Sequence, residues 1–269
     1  MAFSQLLLSM QKVIQEDQNG QSYHEVMRQR KEAGGLPRHI AIIMDGNRRY
    51  AKALGKPSSF GHLKGKERLE QVIRWVLGEL GIQYLTVFAL SMENLQGRAQ
   101  WEVEELLNLM ALGLEQISRD REIADKKIKV RVVGALESLP SRLRRAAEEA
   151  ERFTERGGEG GTLTICIGYG GRQELLQAVK KLAKDYADGS IALESIDESS
   201  MKQHLYTPDI PDPDLMIRTS GEQRISNFML WQAAYSELYF SPLPWPEFDE
   251  WALIGALDDY LSRTRRFGH

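Results

Sequence analysis

Apolar runs of two different lengths alternate along this chain, and their spacing sets the expected architecture. Short runs at residues 39–44, 84–90, 128–133, 163–167, 215–218 and 238–240 have strand length. Several are apolar at consecutive rather than alternate positions, which predicts strands buried on both faces, as in a parallel sheet covered by helices. Between them lie segments of helical period. Residues 65–80 bring Leu69, Val72, Ile73, Val76, Leu77 and Leu80 to one face, and residues 101–117 do the same with Val103, Leu106, Leu107, Met110, Leu114 and Ile117. Residues 139–154, with Pro140 near the start where a missing N–H costs little, 172–186 and 248–263 complete the set. This alternation predicts an α/β fold: a single domain with a central, mainly parallel sheet of about six strands flanked by helices. Residues 1–35 read as a polar helical extension ending at Gly34-Gly35-Leu36-Pro37, and residues 36–269 as the domain itself.

The apolar segment 3–10 is short and has no basic region before it. It reads as an amphipathic helix packed on the body, with peripheral membrane contact as the alternative. No apolar run reaches the roughly 18–20 residues of a membrane-spanning helix. The net charge of -3 over 269 residues argues against a nucleic-acid binder, but leaves room for a small phosphorylated ligand held by a local basic cluster. The single cysteine, Cys166, rules out an intrachain disulfide and reads as core. A cytoplasmic enzyme fits these numbers.

In open α/β sheets ligands bind beyond the carboxyl ends of the strands. The residues there are Asp45-Gly46-Asn47-Arg48-Arg49, Ser91-Met92-Glu93-Asn94, Gly168-Tyr169-Gly170-Gly171-Arg172, and the stretch from Arg218-Thr219-Ser220-Gly221 through Glu222, Arg224 and Ser226 to Asn227. Arginine, glycine and small hydroxyl residues dominate, which is the chemistry of an anionic, phosphorylated ligand. Asp45 is a carboxylate within this basic set. It reads either as a Mg²⁺ ligand sharing the ion with diphosphate oxygens or as a turn or helix-capping residue. There is no Walker A pattern, and the glycines at 168–171 do not form GxGxxG.

These clusters resemble the signatures of the cis-prenyltransferases, the undecaprenyl diphosphate synthase-like enzymes. The resemblance runs from about Pro37 to Gly268: residues 39–52 match the first signature, continued by Gly61-His62 and Gly65; Ser91-Met92-Glu93-Asn94 match the second; residues 214–228 match the third, extended by Leu230-Trp231-Gln232 and by Tyr235 to Phe240; and Arg266-Phe267-Gly268 resembles the C-terminal element. The resemblance implies an enzyme with an apolar tunnel that joins an allylic prenyl diphosphate to isopentenyl diphosphate, with Mg²⁺ as cofactor. Carried over, Asp45 holds the metal; Gly46, Asn47, Arg48, Arg49, Tyr50 and His62 surround the allylic pyrophosphate; Asn94, with Ser91, Met92 and Glu93, lies beside the reacting carbons; and Arg218, Arg224, Ile225 and Ser226 bind isopentenyl diphosphate. Glu237 matches a position linked to the metal and the subunit interface, and Arg266 and Gly268 would reach a partner subunit, so a homodimer is implied.

Three positions depart from the family pattern. Ser58 and Gly97 stand where arginines are usual and Leu95 where an aromatic is usual, with Arg98 one step beyond. All lie on the allylic side. They leave open an irregular synthase joining two allylic diphosphates or using an atypical acceptor. A non-catalytic subunit of a heteromeric prenyltransferase is the reading from another class, and it is opposed by the presence of Asp45, Asn94, Arg218 and Arg224.

Overall fold

The computed structural model describes residues 20–264. The segment 3–10 and the tail containing Arg266 and Gly268 lie outside these residues. Six strands form one sheet: β1 (His39–Ile43), β2 (Tyr84–Ser91), β3 (Lys129–Val133), β4 (Thr162–Tyr169), β5 (Leu215–Arg218) and β6 (Glu237–Phe240). Their order is β3-β4-β2-β1-β5-β6, and every neighbouring pair is parallel. The sheet is therefore wholly rather than mainly parallel. All the predicted strands form, and consecutive burial is explained by two covered faces. Ile40, Ile42, Leu85 and Val87 belong to a core on one side, and Ala41, Ile43, Phe88, Cys166 and Met216 to a second core on the other.

The helices are α1 (Tyr23–Ala33), α2 (Asn47–Ala53), α3 (Ser58–Ile73), α4 (Met92–Gly97), α5 (Gln100–Ile117), α6 (Arg121–Asp125), α7 (Ser141–Phe153), α8 (Gly171–Ala187), α9 (Glu198–Gln203) and α10 (Glu250–Ser262). Two boundaries depart from the periodicity. The helix expected at 65–80 begins earlier, at Ser58, and its last part, Arg74–Glu79, winds as a π-helix. The stretch after β1 is helical from Asn47, where the apolar period marked no helix. Helix α1 is started by a Ser22–Glu25 capping box. It is docked: Val26 and Met27 are buried in the larger core, and Arg30 pairs with Asp258 of α10 at 2.6 Å. Among the described residues no helix is long and apolar enough to cross a membrane.

Candidate active site

Four of the predicted clusters meet at the carboxyl edge of the sheet. Asp45 follows β1, and its backbone is pinned by the neighbouring β5 segment. Its N–H donates to Oγ1 of Thr219 at 2.9 Å, and that hydroxyl donates to the Asp45 carbonyl at 2.7 Å. The next residue must be glycine. Gly46 has φ 104°, and a Cβ there would lie 2.6 Å from Oγ of Ser220 and 2.9 Å from the Pro244 backbone. The turn then feeds α2, which presents Asn47, Arg48 and Arg49. Asn47 packs so tightly on α3 that a Cβ at Gly65 would lie 2.5 Å from its Oδ1.

Arg218, the last residue of β5, is the hub. Its Nη2 donates to Oδ2 of Asp45 at 2.8 Å, and its Nη1 donates to Oγ of Ser226 at 2.6 Å and to the Arg224 carbonyl. Arg49 approaches the other Asp45 oxygen at 3.4 Å and pairs with Glu222, which also holds Arg224. Burial pushes the Asp45 carboxyl upward, but the hydrogen bond and charge of Arg218, with the charge of Arg49, hold it below the ordinary carboxylate range. It is therefore ionised at neutral pH. The loop carrying Ser226 is strained: Ser226, Asn227 and Met229 all have positive φ, at 49°, 63° and 46°. Asn227 ties it down, accepting from the Arg172 N–H at 2.9 Å and donating to Glu93 at 2.8 Å. Ser91 caps α4 by accepting from the Asn94 N–H at 3.0 Å, which fixes where Asn94 stands.

A second charged group faces these across the mouth. Glu102, buried in the first turn of α5, lies 3.2 Å from Arg98, 3.4 Å from His62 and 3.6 Å from Arg48. Burial holds the His62 imidazole below its ordinary pKa, against the pull of Glu102.

Both sides open onto the mouth of a cavity of about 1330 Å³. Its wall includes Asp45, Gly46, Asn47, Arg48 and Arg49 from the first cluster and His62 from α3. Ser91, Glu93, Asn94 and Arg98 contribute from the second cluster, and Arg218, Arg224 and Ser226 from the third. Below the mouth the wall turns apolar: Leu69 and Ile73 of α3, Leu106, Met110, Leu114 and Ile117 of α5, and Leu163, Ile165 and Ile167 of β4. Toward the amino edge of the sheet, where the cavity reaches Ile128, its wall becomes charged again with Arg74, Glu115, Arg119, Asp120, Glu122 and Lys126. The cavity thus crosses the full width of β4, about 20–25 Å at strand rise.

Other expected positions stand elsewhere. Tyr50 stacks on Phe60 at 6.3 Å, outside the wall. Ser58 opens α3, Met92 opens α4 and Gly97 closes it; none of the three lines the cavity. Leu95 and Ile225 pack against the two cores. Glu237 begins β6, at the opposite edge of the sheet from Asp45, and pairs with Arg263 at 2.7 Å; within one chain it does not join Asp45. Glu102 was not among the expected site residues, and Thr219 stood in the third cluster without a role of its own. An acid on the buried stripe of α5 with an arginine four residues earlier was the available sign of Glu102, whereas Thr219 acts through backbone partners that no spacing reveals.

The donor set suits a diphosphate. Among the described residues, the Nε–H donors of Arg98 and Arg218 are buried without a hydrogen-bond partner, and buried donors of this kind demand an acceptor. No three His, Cys, Asp or Glu side chains among the described residues gather as a metal cage. A divalent ion here would rest on one carboxylate, Asp45, and on ligand oxygens, a donor set that fits Mg²⁺.

Residues 43–268 match the family described as "Putative undecaprenyl diphosphate synthase". The chain belongs to this family, the cis-prenyltransferases. It is a prenyltransferase. A tritrans,polycis-undecaprenyl-diphosphate synthase (geranylgeranyl-diphosphate specific) of Pyrococcus abyssi is 45% identical over 246 residues, covering 91% of this chain and 92% of that protein. The enzyme of the same name from Methanopyrus kandleri is 43% identical, with coverage of 91% and 90%. Among solved structures, lavandulyl diphosphate synthase from Lavandula x intermedia in complex with dimethylallyl diphosphate gives a TM-score of 0.82 at 35% identity, covering 87% of this chain and 99% of that one. A "probable undecaprenyl diphosphate synthase" from Campylobacter jejuni gives 0.69 at 27% identity, with coverage of 88% and 100%.

Proposed function

We propose that this prenyltransferase extends a long allylic diphosphate, of the geranylgeranyl class, with isopentenyl diphosphate units in cis, releasing pyrophosphate at each addition and retaining the growing chain in the cavity. The size of the cavity carries this reading. If each carbon with its hydrogens takes about the volume of a liquid water, roughly 30 Å³, 1330 Å³ has room for on the order of forty such groups, the diphosphates at the mouth included. The relatives named for geranylgeranyl diphosphate support the choice of primer.

In this reading Asn47, Arg48, Arg49, His62 and Arg98 hold the allylic pyrophosphate as it departs, and Arg218, Arg224 and Ser226 hold isopentenyl diphosphate. Asn94, fixed by the Ser91 cap, accompanies loss of the proton from the new linkage. Asp45, kept ionised by Arg218, would hold Mg²⁺ together with substrate oxygens. When bound, the ion supplies charge stabilisation for the leaving pyrophosphate. The apolar wall excludes water from the hydrocarbon.

The enzyme is further proposed to act as a cytoplasmic homodimer that meets membranes only peripherally, for product release. Leu176, Val179 and Tyr186 form an exposed apolar side of α8, which supports a partner surface.

The runner-up is an irregular synthase joining two allylic diphosphates, favoured by the likeness to the lavandulyl enzyme. Two five-carbon units would fill only about a quarter of the cavity on the same volume argument. Incubation with geranylgeranyl diphosphate, isopentenyl diphosphate and Mg²⁺, and separately with dimethylallyl diphosphate alone, tests both. Long linear products with cis bonds, assigned by mass spectrometry and NMR, are expected from the first mixture. A branched ten-carbon diphosphate from the second, with no elongation in the first, would overturn the proposal.

A further inference from the structure

The cavity mouth holds two arginines, Arg48 and Arg98, and His62, contributed by three different elements. Placed together without a counter-charge, the guanidinium groups would repel one another, and the charge of Arg48 does depress the basicity of the half-buried Arg98, next to the larger effect of burial. All three converge on one carboxylate. Oε1 of Glu102 accepts from Nη1 of Arg98 at 3.2 Å and lies 3.4 Å from Nε2 of His62, and Oε2 lies 3.6 Å from Nη1 of Arg48. Glu102 itself is buried and is not part of the cavity wall. It stands behind the three groups that are.

We infer that Glu102 is a positioning residue for the allylic diphosphate, aligning Arg48, His62 and Arg98 into a single anion-binding wall. The inference rests on the proposed reaction for the identity of that anion. One carboxylate against two guanidiniums leaves the cluster with a surplus positive charge. Arg98 keeps donors free for a ligand, including a buried Nε–H with no partner among the described residues. The arrangement also explains how the mouth does without arginines at Ser58 and Gly97: the cations come from Arg48 and Arg98, held in place from behind.

The test is a double-mutant cycle of Glu102→Gln and Arg98→Met, read in three ways. Steady-state kinetics give the KM of each substrate separately, calorimetry gives binding of inorganic pyrophosphate without turnover, and thermal unfolding reports folding. The expected result for Glu102→Gln is an allylic KM and a pyrophosphate Kd both raised about tenfold, with the KM for isopentenyl diphosphate within about twofold of wild type. The double variant should lose less than the two single losses combined, because Glu102 acts in part through Arg98. Glu102→Asp, which keeps the charge, should recover part of the loss, and it carries the same comparison if the Gln variant does not fold. Equal rises in both KM values, or fully additive losses in the cycle, would overturn the inference. If the wild type fails to elongate prenyl diphosphates, the reaction is wrong, and the pyrophosphate arm of the cycle still decides the role of Glu102.

Discussion

The Asp45 carboxylate accepts a 2.8 Å hydrogen bond from Nη2 of Arg218, linking the residue two positions beyond β1 to the last residue of the neighbouring β5. The pair joins the two sides of the mouth: Asp45 belongs to the cluster that holds Arg48 and Arg49, and Arg218 to the loop of Arg224 and Ser226. A change at either residue therefore reaches both.

Asp45→Asn keeps the shape and removes the charge. We expect kcat to fall at least about 100-fold through lost leaving-group stabilisation, and wild-type activity to vanish in EDTA and return with Mg²⁺. The depressed carboxyl contributes stability above its unfolded pKa and loses it as pH falls through the folded value, so wild-type and variant stabilities should converge in acid. Near-normal turnover of the Asn protein would remove Asp45 from the mechanism.

Arg224 isolates the other side. Its guanidinium is exposed and pairs with Glu222 at 2.5 Å, so Arg224→Ala should change folding stability by less than about 1 kcal/mol. Its KM for isopentenyl diphosphate should rise about tenfold, with the allylic KM little changed. The opposite pattern would mean that the two diphosphate positions are interchanged.

The sequence made the sheet legible because its strands are buried on both faces: the consecutive apolar residues of Ile40 to Ile43 admit little else. The short helix α2 was not legible. Its N-cap, Gly46, offers no side-chain cap, and Asn47-Arg48-Arg49 carries no apolar period. The π-helical end of α3 was hidden as well, since Val76 and Leu77 satisfy the α-helical period and are buried either way. In the site, residues adjoining strand ends were found from position alone. Glu102 was not, because its role depends on three partners distant in sequence or on other elements. Glu237 illustrates the reverse: a motif match gave its identity, while the parallel register puts it at the far edge of the sheet.

His39 gives the fold a dependence on pH. Its ring is buried between Oγ1 of Thr86 and the Pro211 carbonyl, each at 2.7 Å, and burial pushes its pKa down to about 4, against the pull of that carbonyl and of Asp214. The unfolded chain binds a proton near pH 6.5 and the folded chain does not. Stability is thus complete above about 6.5 and is lost as pH falls toward 4, by about 3 kcal/mol at most from this residue. His62, also shifted down by burial, adds to the same slope. Urea titrations between pH 7 and 4.5 should show a shallower decline for His39→Gln than for wild type. Identical slopes would refute the assignment.

Product length should follow the cavity. Met110 lies on its wall between Leu106 near the mouth and Leu114 further in. Met110→Trp inserts a rigid ring into this space at an only partly buried position, where overpacking costs least. Products should shorten by several isoprene units while the first addition to a geranylgeranyl primer proceeds at near wild-type rate. Unchanged product length would mean that the hydrocarbon does not pass Met110.

The allylic side offers the sharpest comparison. Gly97 has no neighbour within 4 Å of a would-be Cβ and does not line the cavity, whereas Arg98 does and is held there by Glu102 at 3.2 Å. On the proposed reading, Arg98, at the C-cap of α4, would supply the cation that the family pattern puts at residue 97. An arginine at 97 would point its charge into open space. We expect Gly97→Arg to leave the allylic KM within about twofold of wild type, because an exposed charge outside the wall is screened by solvent. Arg98→Ala should raise it at least about tenfold through loss of a charge-assisted contact. Both variants should keep the wild-type KM for isopentenyl diphosphate. A tighter allylic KM in Gly97→Arg, with Arg98→Ala unaffected, would show that Arg98 does not replace the missing cation and that the mouth binds its primer by other groups.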